Sequence, residues 1–453
     1  MPYENQFGSK TAHSDIVKNP DVQEFLKKCR PIHPPSDEGQ NAILDGFVSP
    51  PEFDQTPLVI HVIASDGSLY VSSIDDRLPS IKAAYLKFST ILIEMEEFSG
   101  LQDQQTNMID PFKVAALRRN RDALSAVLPL SNLKIDEDSG VRETFRRQTE
   151  DFLASTATRF RADNPDTSLL STLTELALLR PDDGQHKGMI RIHKCPYKDC
   201  EQGAIYIDPR QDNHVCPSCK KGLYISDCLR IWEAINDFFP NQEPASRFMS
   251  YIEHLLPIHY LRNLRDHSPQ VLANVAVLID GPLAVFGNAA WLHRSIMQFL
   301  FNLKKQPVVM GLQKGGYVSE YMSMLQKRIP PNKLFSISDE FRYNYLGIEP
   351  SDNGFGSETY YGHDFAFKTP RGKLFIFALP YPFQTKSVPN FVLEKVKVEN
   401  YPTLRKALRL ITEVETDLYK NAVAPIALAH KYTAISLRPG GRVLDILGRS
   451  SIR

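Results

Sequence analysis

The run Val275-Ala-Val-Leu-Ile-Asp-Gly-Pro-Leu283 constrains this chain more than any other stretch. Its apolar, β-branched-rich residues, with no polar alternation, predict a strand buried on both faces. The run ends on an acid, Asp280, and then turns at Gly281-Pro282. A carboxylate at the end of a buried strand is costly unless something cationic meets it. The same shape occurs earlier, where residues 59–65, Val-Ile-His-Val-Ile-Ala-Ser, lead into Asp66-Gly67. Asp-Gly is a common turn dipeptide, so each pair read alone is a turn. Two buried strands that each deliver one to the same end of a sheet predict a pocket that attracts divalent metal.

The 453 residues allow a large core and more than one folded unit. Lys+Arg 53 balances Asp+Glu 53. That argues against coating of nucleic acid by bulk charge and leaves room for a local basic channel. Residues 1–10 carry no signal pattern, and no apolar run approaches the ~18–20 residues that span a bilayer. A cytoplasmic, membrane-free protein is expected.

Residues 1–56 read as a polar arm with one short helix near residues 21–28. Strands are expected at 58–66 and 69–72, on either side of a turn at Ser65–Ser68, and again at 83–95. From 101 to 185 the pattern reads as a helical insertion. Phe112, Ala115, Ala116, Leu124 and Val127 set one helix around Arg118-Arg-Asn-Arg121, with further helices near 141–160 and 168–179. The basic run suits a solvated helix face or a phosphate backbone. A small module follows at 186–229, then a helix holding Ile231, Trp232, Ile235, Phe238 and Phe239, and another at 245–264. After Asp280 the order helix, strand, helix implies some parallel pairing. Strands at 360–368 and 373–379, helices at 401–418 and 421–434, and a strand-like 443–447 close the chain.

Cys195-Pro-Tyr-Lys-Asp-Cys200 and Cys216-Pro-Ser-Cys219 flank the strand-like Ala204-Ile-Tyr-Ile207. Two cysteine pairs on two turns bring four thiolates to the corners of a tetrahedron, the arrangement of a zinc ribbon. His193 or His214 is the alternative for one sulfur. A closed shell of thiolates makes the zinc structural. Lys194, Lys198, Lys220 and Lys221 suit a phosphate backbone or plain solvent.

Hydrolysis of a phosphodiester needs activated water and neutralised phosphate charge, and carboxylate-held magnesium or manganese supplies both. Two aspartates rarely suffice. Glu253 flanks the apolar helix face of Phe248, Ile252, Leu255 and Leu256, and is either the third acid or an exposed helix glutamate; Glu94, Glu96 and Glu175 compete with it. His430, on a helix rich in small residues, is suited to ligate metal, to orient water or to a structural role. Lys314 precedes Gly315-Gly316 and is suited to neutralise a phosphate. No G-x-x-x-x-G-K-[S/T] loop occurs, which argues against ATP hydrolysis by this chain.

Ser65-Asp-Gly-Ser68, Leu278-Ile-Asp-Gly-Pro-Leu283, Asn400-Tyr-Pro-Thr-Leu404 and Ala429-His430 resemble, in content and order, the motifs of the NurA nucleases. The resemblance covers residues 57–437, interrupted near 100–245, so that 57–100 and 230–453 form its two parts. It implies an α/β, ribonuclease H-like mixed sheet flanked by helices, here with a helical region and a zinc ribbon inserted. It further implies a manganese-dependent DNA nuclease, a homodimer that acts with HerA, a hexameric translocating ATPase, in end resection or phage defence. Asp66 and Asp280 match the family's metal-binding aspartates and His430 its C-terminal histidine. Glu253 is matched by position only, and Tyr401 or Tyr360 stands for a site tyrosine.

Overall fold

The computed structural model describes residue 11 and residues 13–29, 36–100, 123–137, 139–180, 184–416, 423–435 and 440–451. Three short helices come first, α1 (Ser14–Lys18), α2 (Pro20–Lys28) and α3 (Asp37–Asp45). Strands β1 (His61–Ser73) and β2 (Lys82–Glu94), helix α4 (Met95–Ser99) and strand β3 (Leu124–Ser131) follow. Next are α5 (Val141–Ala154), α6 (Leu169–Leu178) and the short strands β4 (Ile190–Ile192), β5 (Ile205–Ile207), β6 (His214–Val215) and β7 (Gly222–Leu223). The long helix α7 (Gln242–His267) leads into β8 (Val275–Asp280), α8 (Leu292–Phe301), β9 (Val308–Gln313) and α9 (Tyr317–Leu325). The chain continues with β10 (Lys333–Ser336), α10 (Asp339–Tyr345), β11 (Gly362–Lys368) and β12 (Leu374–Pro380). It closes with α11 (Phe391–Glu394), α12 (Leu404–Val414), α13 (Ala424–Thr433) and α14 (Gly440–Ser451).

Eight strands form one mixed sheet in the order β10-β11-β12-β9-β8-β1-β2-β3. β8 pairs in parallel with both β1 and β9, and every other pairing is antiparallel. An antiparallel meander, β1 to β3, followed by a helix and two parallel strands, is the expected ribonuclease H-like arrangement. Its centre is β8, whose residues Val275 to Ile279 are all buried. Alternate side chains go to opposite faces. Val277 and Ile279 pack with Phe248, Ile252 and Leu255 of α7, whereas Ala276 and Leu278 pack with Leu408 and Ile411 of α12 and Ala429 of α13. Each buried Val, Ile or Leu contributes about 1.5–3 kcal/mol of transfer free energy, so the sequence run fixes the middle of the sheet.

Several local expectations change. Ser65–Ser68 makes no turn: β1 runs unbroken through thirteen residues, and its hairpin closes where Ile74 N–H donates to Ile81 O. Leu124 and Val127, expected on a helix, lie on β3, so residues 101–185 contribute an edge strand to the main sheet as well as helices. Leu128 and Leu130 are buried while Val127 is 46% exposed, the alternation of a half-buried strand. Phe112, Ala115, Ala116 and Arg118–Arg121 lie outside the described residues. The helix expected to hold Ile231 to Phe239 is a single 3-10 turn, Ile231–Ala234, with Phe238 and Phe239 exposed. Val443–Leu447 is helical rather than extended, and Gly441 and Gly448 of α14 let it approach Tyr70 and Ile74. Among the described residues no helix is long and apolar enough to cross a membrane.

Candidate metal centre and cysteine cluster

The parallel register sets Ser65 opposite Ile279, so the next residues of the two strands, Asp66 and Asp280, are side by side. Adjacent strands lie about 4.8 Å apart. Asp66 is therefore delivered from the middle of β1, and only Asp280 from a strand end. Both share the parity of Ala64 and Leu278, which face α12 and α13. From that side α13 reaches Asp66: Thr433 Oγ1 donates to Oδ2, and His430 Nδ1 lies 3.1 Å from the same oxygen. Lys314, directly after β9, holds its Nζ 2.7 Å from Asp280 Oδ2.

Glu253 arrives from the opposite face, on α7. Its Oε1 accepts a hydrogen bond from Gly67 N–H at 3.0 Å. A Cβ at position 67 would lie 2.7 Å from that oxygen and 3.0 Å from Met249 Cγ. The glycine after Asp66 thus serves close approach rather than a turn. Pro257, one helical turn beyond Glu253, has no N–H to give to the Glu253 carbonyl. Burial first, then the charges of Asp66 and Asp280, raise the Glu253 carboxyl to about 8, against a smaller lowering by the Gly67 N–H. The charges of Asp66 and Asp280 thus reach Glu253 from the neighbouring strands, and carboxylate oxygens are the donors a hard divalent cation takes.

The centre is more open than a closed chelate. Among the described residues only the four cysteines bring three or more ligand atoms within 4.8 Å of one another. Asp280 shares its charge with Lys314, so a cation there competes with an ammonium.

The other candidates fall elsewhere. Tyr401 is buried against His363 and Phe365, and its hydroxyl donates to Lys395 O at 2.6 Å, which removes it from the carboxylates. Tyr360 packs between Phe286 and Phe355. Glu94 sits opposite His61, five residues along β1 from Asp66, about 17 Å at the rise of a strand. Glu96 is exposed on α4, and Glu175 is paired with Arg262 and Arg265. Thr433 was not among the expected residues. Its position three residues after His430, on the same helical face, is the signal that points to it.

Cys195, Cys200, Cys216 and Cys219 form the cluster expected of a ribbon. The Cys195–Cys219 and Cys200–Cys216 sulfurs are each 3.7 Å apart. Four thiolates about 2.3 Å from zinc at tetrahedral angles have edges of about 3.8 Å, so the spacing fits that metal. His193 and His214 stay outside the group. Cys195 N–H donates to Gln202 O and Cys216 N–H to Lys221 O, the turns that aim the sulfurs. The module is fused to the body: Ile190, Ile192, Ile205 and Leu223 belong to the core that holds α5 to α7. A buried pair, Arg146 with Asp227 at 2.7 Å, ties α5 to the segment after β7.

Fold and sites define a ribonuclease H-like α/β protein with a carboxylate centre on its central strands and a fused four-cysteine ribbon. No protein-family model matches the chain. No curated protein matches it either. Among solved structures it is similar to NurA bound to dAMP and manganese, at 12% identity and a TM-score of 0.30, over 99% of this chain and 98% of that one. A structure of NurA with manganese gives 14% identity and a TM-score of 0.30, over 98% and 99% of the two chains. A further structure of NurA gives 11% and 0.29, over 98% of each.

Proposed function

We propose that the chain is a manganese- or magnesium-dependent deoxyribonuclease that processes DNA ends, as a homodimer, with a HerA-type hexameric translocase. The roles in view are end resection and phage defence. The side-by-side placement of Asp66 and Asp280 on paired strands, with Glu253 bonded to the neighbouring Gly67 N–H, carries this reading. Asp66, Asp280 and Glu253 would hold the divalent ion, with His430 beside them. Such an ion activates water and neutralises phosphate charge. Lys314, on releasing Asp280, is free to meet a phosphate oxygen, and Gly315-Gly316 let a strand approach the backbone. With Nδ1 directed at Asp66, His430 keeps its other ring nitrogen to take or return a proton. Thr433 holds the Asp66 carboxylate in its rotamer. The four cysteines would hold a structural zinc.

The test supplies linear duplex DNA and manganese to the purified chain, with and without the translocase. Manganese-dependent loss of DNA that disappears in Asp66→Ala and Asp280→Ala is expected; unchanged degradation by either variant sinks the site.

A second reading is a non-catalytic DNA- or protein-binding adaptor on a nuclease fold. The observation that favours it is the Lys314–Asp280 ion pair within an open acidic centre. Calorimetric titration with manganese separates the two, since an adaptor gives no saturable heat that Asp280→Ala abolishes.

A further inference from the structure

We propose that a nucleic-acid strand leaves the carboxylate centre along a cationic track that ends on the cysteine ribbon. Arg247, Arg230, Arg180, Arg191 and Lys194 form the track, and the exposed Phe286 opens it. The proposal rests on the nuclease reading and names the route of its substrate.

One loop, residues 286–291, touches the elements that carry these cations. Phe286 follows Asp280 by six residues, is 52% exposed, and meets Tyr360 edge-on at 5.9 Å. The Tyr251 hydroxyl of α7 donates to Phe286 O at 3.1 Å and accepts from Ala289 N–H at 3.3 Å. Arg247, one turn before Tyr251, lies against Gly287, where a Cβ would be 3.3 Å from its Nη1. It is six residues from Glu253, about 9 Å along the helix axis. Asn288 Nδ2 donates to Arg230 O at 3.3 Å. Trp291 Nε1 donates to Cys228 O at 3.0 Å, and its ring carries the Arg180 guanidinium 5.2 Å away. Arg191 and Lys194 then expose their side chains on the ribbon.

The charges along this route are only partly balanced. Arg230 is paired with Glu233 and Arg247 with Glu243. Arg180, Arg191 and Lys194 have no carboxylate partner among the described residues; Asp182 and Asp183 lie outside those residues. Burial and then repulsion by Arg191 and Arg230 lower the pKa of Arg180. A half-buried guanidinium beside a ring and two other cations gains from an arriving anion. Arg180 feels both Arg191 and Arg230, and with Lys194 and Arg247 these cations offer more than one contact to a phosphate backbone. An exposed ring at the start of the row suits base stacking. Of the four lysines expected from sequence to touch a backbone, Lys194 joins the track, whereas Lys198 is paired with Asp237 and Lys220 donates to Pro217 O.

The test measures binding of a fluorescent oligodeoxynucleotide to the full chain by anisotropy, with EDTA present so that nothing is cut. Arg180→Gln combined with Arg191→Gln should weaken binding about tenfold and reduce the salt slope by about 1.5. Lys304→Gln with Lys305→Gln, exposed at the opposite end of β9, should stay within about twofold. Zinc content and thermal midpoint verify that each variant is folded. Wild-type affinity and slope in the Arg180/Arg191 variant, or an equal loss in the Lys304/Lys305 variant, overturn the track. A wild-type chain that binds in this pattern but never cleaves with manganese keeps the track and defeats the nuclease reading. A chain that cleaves but binds independently of these arginines does the reverse.

Discussion

Gly67→Ala isolates the reach of Glu253 from everything else in the centre. The position is mid-strand, opposite Phe88, and its φ is not in the left-handed region, so alanine meets no backbone strain. Chain entropy alone favours alanine by about 0.4–1 kcal/mol. Against this, the new Cβ would be 2.7 Å from Glu253 Oε1, some 0.7 Å inside the 3.4 Å of ordinary contact. The carboxyl must retreat by that much, which weakens a bond from Gly67 N–H worth about 0.5–1.5 kcal/mol. The two effects nearly offset, and thermal stability should change by no more than about 1–2 kcal/mol. Catalysis has no such offset. A displacement near 1 Å costs about a hundredfold in rate when it moves a catalytic group. Manganese-dependent cleavage should therefore fall about 10- to 100-fold, with manganese affinity falling too, in a protein whose melting is nearly unchanged. Glu253→Gln should reproduce the loss without the clash. A Gly67→Ala chain that binds manganese and cleaves like wild type would refute the role given to Glu253.

Other outcomes follow from the same contacts. Lys314→Ala removes the ammonium that competes for Asp280, so manganese should bind more tightly while cleavage falls about tenfold; calorimetry and a cleavage assay read the opposite signs. Arg146→Met strands Asp227 in the core and should cost about 3–5 kcal/mol in urea unfolding, unlike loss of an exposed pair such as Lys28–Glu24. Cys216→Ser should abolish bound zinc and lower the thermal midpoint, whereas EDTA mild enough to strip manganese should leave zinc in place. Burial pushes His254, whose Nδ1 meets the Tyr361 hydroxyl at 2.8 Å, down to about 4. The unfolded chain then binds more protons between about pH 6.5 and 4, so stability falls as pH drops through that window. His293 and His363 are shifted the same way and share the effect. His254→Gln should flatten part of the acid limb of the melting curve, and an unchanged limb would remove His254 from the account.

The sheet's middle was legible because β8 needs no context: five consecutive buried residues leave a strand no amphipathic alternative. The cysteine cluster was legible for a similar reason, since spacing alone limits where four sulfurs can meet. The failures share a cause as well. Ser65–Ser68 looked like a turn because the dipeptide Asp-Gly reports only local preference. The requirement that selects Gly67 is a glutamate 186 positions away. Leu124 and Val127 looked helical because their spacing fits either period over so few residues, and cross-strand pairing with β2 decided it. Val443–Leu447 looked extended for want of a partner, until Gly441 and Gly448 fitted a helix against β1 and β2.

Tyr401 and Glu253 make the sharper contrast: the tyrosine came from motif order alone, the glutamate also from its place beside the apolar face of its helix. Tyr401 brings a hydroxyl that a neighbouring carbonyl, Lys395 O, fully satisfies inside an aromatic cluster, so nothing draws it toward a charged centre. Glu253 brings a buried carboxyl that helix α7 does not satisfy, and it accepts the N–H of the one residue next to Asp66 that has no side chain to block it. A buried carboxylate must find a donor or a cation, whereas a buried tyrosine needs only one acceptor. Position along the chain therefore says more about acids than about tyrosines. His430 tests the same logic on the other face: its side chain is 61% exposed and contacts Asp66. His430→Asn should preserve the fold and the Glu253 contact while shifting the pH profile of cleavage, and a fully retained profile would leave the imidazole a bystander.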